Sequence, residues 1–309
     1  MNRVFHLILR SRPDVVATWD DTEVARRWLI LCPVRKSADG GPTEPSEPEL
    51  NSIRFDEDKL KTIRSRLSDI SWWMRLLCQR IAQKANFEEE ISGKFWQSRY
   101  RAVRLIDDEA ILACAAYVDL NPIRAGIAQT IEDSQFTSAR LRLQTIVDST
   151  ESTRRELPVQ SGPVQSGVEQ SSAPESTQAS TEFETAIDSF LAPVEIDELN
   201  DPLGARASAS KYRCSDKGFL AMPTAAYLEL LDWTARQIVT GKRGATPEDA
   251  PPLFERLKIK PAVWYELVTR FGKLFSLVAR QPHGVDEFRG RLCKKRYHVR
   301  QAARELLSA

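Results

Sequence analysis

Tyr117 heads the stretch with the clearest chemical potential, Tyr117-Val118-Asp119-Leu120-Asn121-Pro122-Ile123-Arg124-Ala125-Gly126. Asp107, Asp108 and Glu109 stand where a helix should start, and Ile111, Leu112, Ala115 and Val118 recur at helical spacing. Tyr117 and Asn121, four residues apart, then share one face. Pro122 biases Asn121 away from helical geometry, so the helix is expected to end there, with Gly126 closing the next turn. By itself the pattern describes a core tyrosine at a helix end as well as a tyrosine held beside a phosphate. His6 is the second candidate, on the apolar run Val4-Phe5-His6-Leu7-Ile8-Leu9. Such a run predicts a central buried strand with Val4, His6 and Ile8 on one face. A histidine there serves as a hydrogen-bonded core residue, or as a metal ligand where partners stand nearby.

The elements that must position these residues belong to a chain of 309 residues, 42% of them hydrophobic, long enough for one or two cores and expected to form a two-domain soluble protein. The N-terminal apolar run ends at Arg10, too short to span a membrane and without a signal-peptide cleavage pattern, which points to the cytoplasm and to no membrane partner. Cys32, Cys78, Cys114, Cys214 and Cys293 contain no C-x-x-C pair, so neither a zinc site nor a disulfide framework is indicated. The net charge of +1 hides a division along the chain. Lys plus Arg against Asp plus Glu stand at 22 to 21 over residues 1–145, 3 to 12 over 146–210, and 19 to 10 over 211–309. The basic last part points towards an anionic partner.

Taken in order, Thr22 to Leu31 reads as a helix, Ser37 to Glu49 as a Gly- and Pro-rich loop, and Leu50 to Leu67 as a charged helix. Ser68 or Asp69 can cap a helix whose apolar face is Ile70, Trp73, Met74, Leu77 and Ile81, with Arg75, Arg80 and Lys84 off it. That basic flank is either a solvated face or a phosphate-contacting one, and Asn86 is expected to end the helix. Gly93 to Val103 predicts an aromatic-rich strand with Trp96, Ser98 and Tyr100 on one face and Phe95, Gln97, Arg99 and Arg101 on the other. Arg99 and Arg101 suit phosphate contact, and a charged solvent-facing strand has the same pattern. Glu132 to Ser138 reads as a polar turn entering a short helix.

Together these segments resemble one family, the single-tyrosine HUH transposases, in the branch of REP-associated tyrosine transposases. The shared pieces are the histidine strand, Trp73-Met74, Gly93-Lys94-Phe95-Trp96-Gln97-Ser98-Arg99-Tyr100, Tyr117 to Gly126, and Asp133 to Ser138, in family order over residues 1 to about 142. The resemblance implies an α+β, ferredoxin-like antiparallel sheet that carries the histidines, with a helix presenting Tyr117 opposite. It implies DNA strand cleavage and rejoining through a phosphotyrosine intermediate, on single-stranded or hairpin DNA, with Tyr117 as nucleophile. His6 and Asn121 would ligate a divalent cation, Mg or Mn, and Arg124 would contact DNA. A homodimer is one assembly it allows. Two departures stand out. Val4 replaces the first histidine of the His-x-His motif, and the strand and helix that precede the histidine strand in the family are expected to be missing here.

Beyond this 1–145 module, residues 146–210 repeat Pro-Val-Gln-Ser-Gly at 158–162 and 163–167 and are acidic and Ser-rich, so a disordered linker is expected, with one short helix at Phe183 to Leu191. Residues 211–309 read as a small all-α basic domain, with helices from Thr224 and from Pro261 and a basic stretch in which Lys294, Lys295 and Arg296 are candidate phosphate contacts. Three functions compete at this point: a strand-transferring transposase, a DNA-binding derivative that does not cleave, and a helical protein-interaction module.

Overall fold

A computed structural model describes residues 5–38, 40–156, 190–196, 207–208, 213–238, 259–292 and 297–307. Lys294, Lys295 and Arg296, Val4, and all but the last two residues of the helix expected at Phe183 to Leu191 lie outside the described residues. The chain forms two compact units, one of Leu9–Arg101 with Leu199–Asp216, the other of Met1–Ile8, Ala102–Glu198 and Lys217–Ala309.

The first unit is helical: Pro13–Thr18, Asp21–Leu31, Glu47–Arg54, Glu57–Leu67 and Ile70–Glu88. Each start after the first has a side-chain acceptor for the free N–H groups of an opening turn. Asp20 accepts from Glu23 N, Asp56 from Lys59 N and Asp69 from Ser71 N, while Ser46 and Glu49 form a capping box. The expected single helix over 50–67 is two helices, because Asp56 caps a new start directly after Phe55 closes the preceding one. Val24, Ala25, Leu29, Leu50, Ile53 and Ile63 form the core, with Trp19, Trp28, Leu60 and Leu67 against it. Arg64 crosses this core edge, donating to the carbonyls of Val16 and Trp19 and to Asp21.

The second unit contains helices Asp108–Asp119, Asn121–Arg124, Ser138–Glu156, Thr224–Ile238, Pro261–Leu274, Pro282–Leu292 and Gln301–Leu307. Leu112, Ala116 and Leu120 share one buried cluster with Leu230, Leu231, Trp264, Val268 and Phe271, so residues before and after the acidic middle build a common core. Part of that middle joins it. Val194 is buried, and its carbonyl accepts from Phe219 N and Leu220 N. Within the stretch expected as a linker, the helix begun at Ser138 runs to Glu156 and Val194 supplies an apolar anchor, while residues 157–189 lie outside the described residues.

The ferredoxin-like antiparallel sheet is corrected outright. The described strands are β1, Arg104–Leu105, and β2, Val278–Ala279, paired in parallel with Arg104 opposite Val278 and Leu105 opposite Ala279. Residues 5–10 adopt no regular structure, and Phe5, Leu7 and Ile8 stay 39%, 46% and 37% exposed. An apolar run becomes a central strand only when neighbouring strands pair with it and both its faces are covered; no described strand pairs with residues 5–10, and three of the run's apolar side chains stay exposed. Residues 93–103 are likewise irregular. Gly93 takes φ +116°, Phe95 packs edge-on against Trp96 at 4.7 Å, and the Trp96 indole N–H donates to the Cys78 carbonyl at 2.8 Å. Phe95 and Trp96, expected on a pleated strand, are spent on each other and on the Ile70–Glu88 helix, while Tyr100 stays 41% exposed. No described helix is long and apolar enough to cross a membrane.

One buried polar node fixes the end of the tyrosine helix. Asp119, 4% exposed, accepts from Tyr227 Oη at 2.7 Å, Ser138 Oγ at 2.6 Å and Ala139 N at 3.1 Å. Burial and the adjacent carboxylate push the Tyr227 phenol well above its ordinary pKa, so it stays a donor. Tyr227→Phe removes that donor and leaves a buried carboxylate lone pair without it, at a cost of about 1–3 kcal/mol. Urea unfolding followed by tryptophan fluorescence is expected to show a lower midpoint with an unchanged slope.

Candidate functional site

Tyr117 lies near the C-terminal end of Asp108–Asp119, whose first turn is capped by Asp107 accepting from Ala110 N. Leu120 ends this helix, and a second short helix, Asn121–Arg124, begins at once with Pro122 in its first turn. The break falls at Leu120, and Asn121, expected to leave helical geometry before Pro122, instead opens the second helix, while Gly126 closes the following turn at φ +68°, a left-handed conformation that glycine adopts without steric cost. The reversal carries Arg124 back over the tyrosine. Its guanidinium carbon sits 3.9 Å from the centre of the Tyr117 ring, and Nη1 donates to the Tyr117 carbonyl at 3.2 Å.

Two other segments close on the same ring. His6 meets Tyr117 edge to face, with ring centroids 5.4 Å apart and planes at 78°. Phe271, from Pro261–Leu274, lies tilted against it at 5.8 Å. A Cβ on Gly272 would come within 3.1 Å of the Tyr117 hydroxyl, so that hydroxyl rests against the backbone of the Pro261–Leu274 helix. The His6 imidazole is held below its ordinary pKa by burial and, secondarily, by the charge of Arg124. At neutral pH it is uncharged and keeps one nitrogen lone pair available. A neutral imidazole, a phenol and a stacked guanidinium thus meet, the last of them able to offer in-plane N–H donors to a phosphate.

Three of the residues singled out in the sequence, His6, Tyr117 and Arg124, are therefore brought together, although not by a sheet. Asn121 is not joined to them in the way a ligand set requires. Its carbonyl accepts from Ala125 N, and among the described residues no hydrogen bond links its side chain to His6 or Tyr117. Arg99 and Arg101 are exposed on irregular chain and belong to the other unit. The divalent cation implied by the motifs would need more than His6: among the described residues no three His, Cys, Asp or Glu side chains converge to hold one. The positive charge beside Tyr117 comes from Arg124.

Two residues of this site escape a reading of the sequence. Asp119 looks like one more polar residue on an exposed helix end, yet it is the buried acceptor that holds that end in place. Gly272 lies inside a helix, where glycine has no evident use until the tyrosine hydroxyl is seen against it. A signal for Asp119 does exist, since an acid between Val118 and Leu120 interrupts an apolar run. No family model, curated protein or solved structure matches the chain.

The His6 imidazole is expected to titrate below 6.5, and Arg124→Gln, which removes the neighbouring charge, is expected to move it back up. Because the folded pKa is the lower one, His6 opposes folding only as pH drops below the unfolded value, where the unfolded chain binds the proton first. Proton NMR titration of the imidazole C–H signals in the parent and the variant measures the shift directly.

Proposed function

We propose that this chain acts on DNA as a single-tyrosine strand transferase, a transposase of the kind its motifs resemble. Tyr117 is the nucleophile, Arg124 the phosphate anchor, and His6 the neutral imidazole beside the phenol. The observation that carries this reading is the meeting of His6 and Arg124 on the Tyr117 ring, from segments far apart in sequence. In the reaction the phenol oxygen forms a bond to a backbone phosphorus, the bond from phosphorus to the 3′ oxygen breaks, and the proton leaving the phenol ends on the released 3′-hydroxyl. Reversal on another DNA end rejoins a strand without ATP. A tyrosine phenol ordinarily ionises near pH 10, so a fixed guanidinium that offsets charge on the phosphate as the bond forms is the help the chain itself supplies.

A second reading has its own support. Val4 occupies the place of the first motif histidine, leaving one imidazole beside Tyr117, and this favours a protein that binds DNA without cutting it. One experiment separates the two. Incubation with an end-labelled DNA hairpin, with and without magnesium or manganese, is expected to give a denaturation-resistant protein–DNA adduct. Tyr117→Phe should abolish it, and Arg124→Ala should lower its yield about tenfold or more. An adduct that persists in Tyr117→Phe removes the nucleophile assignment, and hairpin binding without any adduct establishes the second reading.

A further inference from the structure

The Leu9–Arg101 unit carries a group of arginines unlike the rest of its charged surface. Arg26, Arg27, Arg35, Arg54 and Arg64 each lie within 2.6–2.8 Å of a carboxylate oxygen. Arg66 and Arg75 make no ion pair among the described residues and instead stack on indoles. The Arg66 guanidinium lies 4.2 Å from the Trp72 ring and 5.7 Å from Trp28, Arg75 lies 4.9 Å from Trp72, and Trp28 meets Trp72 edge-on at 6.2 Å. Arg80 is exposed and donates to the Leu31 carbonyl. Burial raises the Cys32 thiol while the charges of Arg80 and Arg66 oppose that rise, which places both arginines about the same helix end. Trp73, next to Trp72, leaves 42% of its surface exposed.

The chemistry of the stack decides what it fits. A guanidinium whose carbon lies over an indole spends no N–H donor on that contact, and among the described residues neither the Arg66 nor the Arg75 side chain donates a hydrogen bond elsewhere. Those donors match two oxygens of one phosphate, a geometry that a lysine ammonium cannot offer. Local charge points the same way: from Lys59 to Lys84 the chain carries seven basic residues and one acid, Asp69, which is occupied as the helix cap. An exposed indole among phosphate-seeking groups adds a stacking surface for an unpaired base, which a duplex does not present.

We propose that the Arg66, Trp72, Arg75 and Arg80 surface, with Trp73 at its edge, binds a single strand of DNA, the phosphates on the arginines and an unpaired base on Trp73. The surface belongs to the unit that lacks Tyr117 and is independent of Tyr117 chemistry; only the choice of DNA over RNA rests on the function proposed above.

The test uses the full chain and a fluorescein-labelled oligothymidylate of about 16 nucleotides, read by anisotropy across a salt series. The variant combining Arg66→Gln, Arg75→Gln and Arg80→Gln should bind at least tenfold more weakly, with the slope of log affinity against log salt shallower by about 2. Trp73→Ala should weaken binding and leave the slope unchanged. If the triple variant loses its helical circular dichroism, the pair Arg75→Gln and Arg80→Gln, both at exposed positions, is measured instead and is expected to reduce affinity and slope in the same direction. Parental affinity and slope in the folded variant overturn the proposal, as do a parent that does not bind oligothymidylate at low salt and equal displacement of the strand by polyglutamate. Tighter binding of oligouridylate overturns the choice of DNA. Absence of a hairpin adduct in the parent chain with oligothymidylate binding intact counts against the strand-transfer reading alone, whereas intact binding in the arginine variants counts against this surface alone.

Discussion

The carboxylate of Asp119 is the constraint on which the arrangement around Tyr117 depends. A charge at 4% exposure is tolerated only when donors surround it, and here three do, from Tyr227, Ser138 and Ala139. Those donors come from two other helices. The tyrosine helix is thereby tied at its C-terminal end to the start of Ser138–Glu156 and to the flank of Thr224–Ile238. Two residues before the node, Tyr117 has little freedom to shift along the helix axis, and the turn that follows can return Arg124 to its ring. Apolar packing alone would hold the helices together without fixing register to this degree, because hydrophobic contact has no direction.

Much of the local structure was legible in the chain, and little of its assembly. The helix beginning after Asp107, the cap at Asp69, the start at Pro261 and the left-handed Gly126 follow from capping chemistry and backbone sterics, which act over a few residues. The sheet was a different matter. Val4 to Leu9 and Gly93 to Val103 have strand composition, but strand formation depends on a partner edge that composition does not specify. His6 was placed beside Tyr117 on the expectation of a sheet, and it stands there on irregular chain. Val194 shows the converse: one apolar residue among acids and serines read as tether, yet it enters the core with Leu220.

The arginines answer their charge in two physically different ways, and Arg27, paired with Glu23 and lying 4.1 Å over the Trp19 ring, uses both. Those bridging to carboxylates, such as Arg35 with Glu49, have their charge answered inside the fold, and Glu49 is held down to a pKa of about 2 by that arginine and by the hydrogen bonds it accepts from Ser46. Such exposed pairs contribute modestly to stability and are screened by salt. Arg66, Arg75 and Arg124 rest on aromatic faces, which orient a guanidinium without neutralising it. A protein that only needed solubility would have no reason to set planar cations in fixed orientations. Of the rings involved, Tyr117 was marked by the sequence pattern, whereas Trp72, which carries Arg66 and Arg75, was not.

Gly272 gives the tyrosine a handedness of access. With the hydroxyl resting against the Pro261–Leu274 backbone, one side of the phenol oxygen is occupied by protein, and anything that meets this oxygen must come from another direction. An in-line displacement needs the attacking oxygen, the phosphorus and the departing oxygen on one axis. Were Tyr117 the nucleophile, the helix behind it would exclude any such axis that runs through its backbone. On the function proposed above, the missing side chain of a single glycine would act as a stereochemical filter on the direction from which a strand meets Tyr117.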